Sequence, residues 1–98
     1  MAKVLDPSLV RRFEEIPNVG PRVARDFRTL GLTRPAELKG KDPYALYEKL
    51  CRATNVRHDV CLLDVFIAVT RFMGGEPPRP WWRYTPERKR HLSQSKQS

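Results

Sequence analysis

Two groups of residues have the types and spacing for chemistry. Between Ile16 and Phe27 the chain reads Ile-Pro-Asn-Val-Gly-Pro-Arg-Val-Ala-Arg-Asp-Phe, two short helices joined by a tight turn. A helix that starts at Pro21 leaves its first-turn amides without intrahelical acceptors, and its dipole is positive at that end. The amides of Gly20, Arg22 and Val23 then suit an anion such as a phosphate, with Arg22 and Arg25 supplying charge. Cys51, His58, Cys61 and Asp64 form the second group. They offer two thiols, an imidazole and a carboxylate, donor types that bind zinc.

The anion site depends on its flanking helices. Asp6-Pro7 is a start signal, an N-cap carboxylate followed by proline at the first helical position, and Leu9, Phe13 and Ile16 recur at helical spacing. This predicts a helix from Pro7 to Glu15, stopped by Pro17. After the turn, Val19, Val23, Phe27 and Leu30 form one apolar stripe, and Gly31 is a suitable left-handed residue just past the helix end.

At these residues the chain resembles a helix-hairpin-helix motif, a unit that binds DNA without sequence specificity in repair and recombination proteins. The likeness rests on the apolar residue before the turn, on Val19-Gly20-Pro21-Arg22, and on the small Ala24 where the helices approach. Asn18 stands where the motif usually has its first glycine; asparagine tolerates left-handed geometry better than most residues. The resemblance implies phosphate contacts at Asn18, Val19, Gly20, Pro21, Arg22, Val23 and Arg25.

Farther along, Thr33 caps a turn over Pro35 to Leu38, and Asp42-Pro43 repeats the start signal for a helix to Ala53 with Leu46, Tyr47, Leu50 and Cys51 inward. Leu38 to Pro43 is then either the turn of a second, degenerate hairpin, with Lys39, Gly40 and Lys41 near a phosphate, or a solvated connector; the connector is the preferred reading. Val60 to Val69 is apolar except for Asp64, which predicts a central helix from Asp59 to Met73 ending at Gly74-Gly75. Asp64 requires a partner there, an arginine or an indole N–H from the tail. The cysteines lie on otherwise apolar faces and read as small buried hydrophobes, so no metal is expected.

After Gly75 comes Pro77-Pro-Arg-Pro80 and then Trp81-Trp82-Arg-Tyr84. Either the indoles dock on the core, the preferred reading for at least one of them, or they form a stacking platform for unpaired bases beside Arg79 and Arg83. Residues 91–98 lack a packing stripe and are expected to be disordered. The domain reading is a helical unit at 1–76, a basic extension packed on the core at 77–90, and the tail at 91–98.

Ninety-eight residues make one domain. A net charge of +8 favours polyanions, and the excess is uneven: from Pro77 onward six basic residues face one acid. No apolar run is long enough to span a bilayer, and Met-Ala-Lys-Val-Leu-Asp lacks a signal peptide's hydrophobic region, so a cytoplasmic location with reduced thiols is expected. There is no nucleophile elbow, P-loop or acid pair, and neither enzymatic activity nor a cofactor is expected.

Leu50-Cys-Arg-Ala-Thr, His58-Asp-Val-Cys-Leu-Leu-Asp-Val-Phe66, Trp81-Trp82 and Tyr84-Thr-Pro-Glu-Arg-Lys89 together resemble the small bacterial pathogenicity-locus or mitomycin-resistance-related family, over roughly Leu9 to Lys89. That likeness implies a stand-alone helix-hairpin-helix protein with a loose link to DNA-damage tolerance. The expectation is therefore an all-α protein, about five short helices in a compact SAM-like bundle, that binds DNA through its phosphate backbone, with a possible repair partner. The alternative is an adaptor that docks a protein through the hairpin or the Trp-bearing tail.

Overall fold

The computed structural model describes residues 2–97, with side chains to residue 94; Met1 and Ser98, the ends of the expected domain and tail, lie outside the described residues. The described residues form four α-helices, α1 (Pro21–Thr29), α2 (Pro43–Thr54), α3 (Val60–Met73) and α4 (Thr85–Gln97), with two short 3-10 turns before α1 at Pro7–Leu9 and Phe13–Glu15, one before α2 at Pro35–Leu38 and one before α4 at Trp81–Tyr84. Among the described residues there is no strand. The chain is all-α, as expected.

Local rules account for most boundaries. Proline occupies the first position of α1 and α2, and Asp42 and Asp59 cap α2 and α3 by accepting from Tyr44 N (2.9 Å) and Cys61 N (2.9 Å). Past α1, Gly31 takes φ +86° and closes the helix in the left-handed region. The central helix is α3: Leu63, Phe66, Ile67 and Val69 are almost wholly buried, and α2, α4 and three of the 3-10 turns pack around it. Phe13, Phe27 and Phe66 run through the core with ring centroids 5.4 and 5.1 Å apart.

The helix expected over Pro7 to Glu15 is instead two 3-10 turns separated by extended backbone at Val10 and Arg12. The Glu15 carboxylate accepts from the amides of Arg11 (2.8 Å) and Arg12 (3.0 Å), which a continuous helix would have bonded internally. The break turns Val10 into the core and leaves Leu9 59% exposed, so Leu9 is not part of the buried stripe.

The C-terminal end also differs from its expected disorder, because α4 continues through His91 to Gln97. A polar lock holds it. Asp64, fully buried on α3, accepts from Arg88 Nε (2.9 Å) and Nη2 (3.2 Å) and from Thr85 Oγ1 (2.7 Å). Arg71 pairs with Glu87, and His91 stacks on Tyr44 at a centroid distance of 3.6 Å. The expected partner of Asp64 is thus a tail arginine, assisted by a hydroxyl and not by an indole.

Candidate nucleic-acid interface

The turn from Ile16 to Gly20 is fixed from both sides. Val19 N donates to Ile16 O (3.1 Å), and Ile16 and Val19 are buried beneath it. Asn18 adopts φ +74°, the left-handed geometry anticipated for an asparagine in a glycine position. Its side chain has a further role that the sequence did not disclose: Nδ2 donates to Arg79 O (2.8 Å), and Oδ1 accepts from Trp81 N (3.3 Å). Asn18 therefore clamps the C-terminal segment against the turn. From the other end of the chain, Lys3 Nζ donates to Glu14 O (2.9 Å) and to Val19 O. Burial lowers the Lys3 pKa below the usual lysine value, and a cation lies under the turn that no local motif foretold.

Gly20 is exposed at the N-cap of α1 with φ −96° and ψ −175°, extended backbone open to any residue. A Cβ built there meets nothing within 4 Å. The left-handed conformation of the turn falls on Asn18, not on Gly20. What Gly20 contributes is a helix start with no capping side chain, so the amides of Arg22 and Val23 keep their hydrogen-bonding capacity. Pro21 has no amide to offer. Arg22 and Arg25 are exposed and make no ion pair among the described residues, whereas Arg28 is bound to Glu14 at 3.1 Å. Ala24 is fully buried, which allows α1 to seat closely. Behind this surface Asp26 is buried, and that burial raises its pKa above the usual aspartate value.

Lys39, Gly40 and Lys41 form a geometric echo of the same turn. Gly40 takes φ +78°, two residues before the Asp42 N-cap, just as Asn18 precedes Gly20. Lys41 N donates to Leu38 O (3.2 Å), and Leu38 is buried as Ile16 is. The 3-10 turns before the two hairpins match as well: the carboxylates of Glu15 and Glu37 each accept from backbone amides three or four residues upstream. The difference is at the cap. Asp42 Oδ1 bonds Tyr44 N and lies 3.4 Å from Ala45 N, which places a carboxylate where an anion would sit on α2. Asp42→Asn keeps a capping oxygen and removes the charge, so polyanion binding is expected to tighten about two- to fivefold; a titration showing no change would place this second turn away from the bound surface.

Trp81 is half-buried and Trp82 is 59% exposed, meeting edge to face at 5.7 Å. Arg79 is drawn to Glu76 (3.2 Å) and Tyr84 Oη (3.3 Å); Arg83 is exposed beside it.

The four residues considered as metal ligands are dispersed. Cys51 is buried in the core, Cys61 is exposed on the first turn of α3, and Asp64 is engaged by Arg88. His58 Nε2 lies 2.9 Å from Thr54 Oγ1. Among the described residues no three His, Cys, Asp or Glu side chains come together as a metal-binding group. The exposure of Cys61 corrects its reading as a buried hydrophobe: it precedes the stretch of α3 that enters the core. A hydrogen bond to Asp59 raises its thiol pKa above the ordinary value. Among the described residues no helix is long and apolar enough to cross a membrane.

A family model described as Pathogenicity locus matches residues 7–90. The chain is 49% identical over 76 residues to the mitomycin resistance protein McrB of Streptomyces lavendulae, which covers 78% of this chain and 72% of that protein. No solved structure is a significant match.

Proposed function

The chain belongs to the pathogenicity-locus family, and from that premise we propose that it is a helix-hairpin-helix protein that binds DNA through phosphates, without base specificity, in a damage-tolerance role. The observation that carries this reading is the asymmetry of the helix starts: α2 and α3 are capped by their own aspartates, while α1 begins at a bare glycine with two uncommitted arginines beside it. A phosphate oxygen can accept from the Arg22 and Val23 amides at the positive end of the α1 dipole. Contacts of this kind, to phosphate alone, set position and leave sequence unread. The resistance link is supported by the name of the Streptomyces relative. A protein partner in a repair complex is compatible with the exposed Trp82.

The test is anisotropy titration of labelled duplexes over a salt series. Log affinity should fall linearly with log salt, and Arg22→Gln or Arg25→Gln should make the slope shallower by about 0.9, one phosphate's worth. Two scrambled duplexes should bind equally. A salt-independent affinity, or strong preference for one scrambled sequence, would refute the reading in favour of an adaptor or a base-reading protein.

A further inference from the structure

The α1 start opens onto a cleft. Val23, Leu62, Val65 and Trp81 line it with apolar surface, Arg22 and Asp59 stand among its walls, and its volume is about 310 Å³, at the small end of the range for ligand sites, roughly 300–1,000 Å³. The two residues whose amides are free at the helix start, Arg22 and Val23, are thus also walls of the cleft. Asn18 holds the third side by fixing the Trp81 backbone to the turn, and the exposed Trp82 supports the Trp81 indole by an edge-to-face contact.

We infer that this cleft accommodates an unpaired nucleobase of the strand whose phosphate binds at α1, so that the preferred ligand is DNA carrying an unpaired nucleotide. The inference rests on the phosphate reading above. Charge and shape select this occupant: cationic Arg22 and the free amides attract a phosphate at one wall of the shallow cleft, the Asp59 carboxylate being engaged by the Cys61 amide, while an indole and aliphatic side chains supply the apolar remainder. A nucleotide combines an anion with a flat apolar face on which aromatic side chains stack irrespective of base identity. A base paired within intact duplex is stacked between its neighbours and enters only if extruded, at an energetic cost that an unpaired base largely avoids.

The test compares three labelled DNAs of one length at one salt concentration: an intact duplex, the same duplex with one unpaired adenine, and that duplex with an abasic unit at the unpaired position. The full chain should bind the unpaired-adenine DNA at least about fivefold more tightly than the intact duplex, and the abasic unit should abolish that preference although it keeps the extra sugar and phosphate. Trp82→Ala, which changes an exposed residue, should reduce the preference without unfolding the protein. Cys61 lines the cleft and Cys51 is buried, so bound unpaired-adenine DNA should slow maleimide labelling of Cys61 more than intact duplex does. Equal affinities for all three DNAs, each still weakened by Gly20→Val, would overturn the base cleft and leave the phosphate site standing. Absence of binding to any of them would overturn both.

Discussion

Asp64→Ala is expected to destabilise the fold by about 3–5 kcal/mol, the usual cost of removing one partner from a buried ion pair. The Asp64 side chain is wholly inaccessible and that of Arg88 is 11% exposed. Alanine would leave a guanidinium and the Thr85 hydroxyl facing apolar α3 with their acceptor gone. For a domain of this size the loss should lower the thermal midpoint by more than about 10 °C, measured by circular dichroism. The paired replacement Asp64→Leu with Arg88→Met should recover much of the loss, because well-packed apolar residues commonly substitute for a buried pair at little net cost. Wild-type stability in Asp64→Ala would mean that the lock does not hold α4. A double variant no better than the single one would trace the loss to the shape of the site instead of an orphaned charge.

The same lock shows which parts of the molecule could be read from sequence. The starts of α1, α2 and α3 follow from proline at the first position of α1 and α2 and from the Asp42 and Asp59 caps, and α1 and α3 stop at glycines, all local effects within one turn of the residue concerned. Their buried faces follow from helical spacing: Phe27, Leu50 and Phe66 all lie inside as their periodicity requires. The opposite holds for α4, which has no apolar stripe; one buried carboxylate 24 residues upstream of Arg88 helps anchor it. A partner was required for Asp64, but spacing could not identify which tail residue would supply it. The break at Val10 likewise depends on a competition between core burial of Val10 and internal helix bonding, which periodicity alone leaves undecided. At the candidate site Gly20, Arg22 and Val23 were legible because α1 begins there. The Asn18 clamp was not, since it joins residues 61 and 63 positions apart.

Gly20→Val separates phosphate capture by the turn from general basicity. The open space at Gly20 and its ordinary φ predict a folded variant, with a melting curve close to that of the parent. A branched side chain at this N-cap takes up part of the open space that a phosphate oxygen bound to the Arg22 and Val23 amides would need. If both amides donate to a phosphate, two charge-assisted hydrogen bonds are weakened together, and duplex affinity should fall about ten- to a hundredfold. Lys89→Ala, a change at an exposed cation on α4, should produce only the smaller, salt-sensitive loss due to one surface charge. Gly20→Ser provides the decisive contrast. Its hydroxyl can cap the free amides internally, so it should stabilise the helix start while weakening DNA binding, opposite signs that unfolding cannot produce. If Gly20→Val and Gly20→Ser both bind duplex as tightly as the parent, the α1 amides do not hold a phosphate, and the basic surface alone accounts for any affinity.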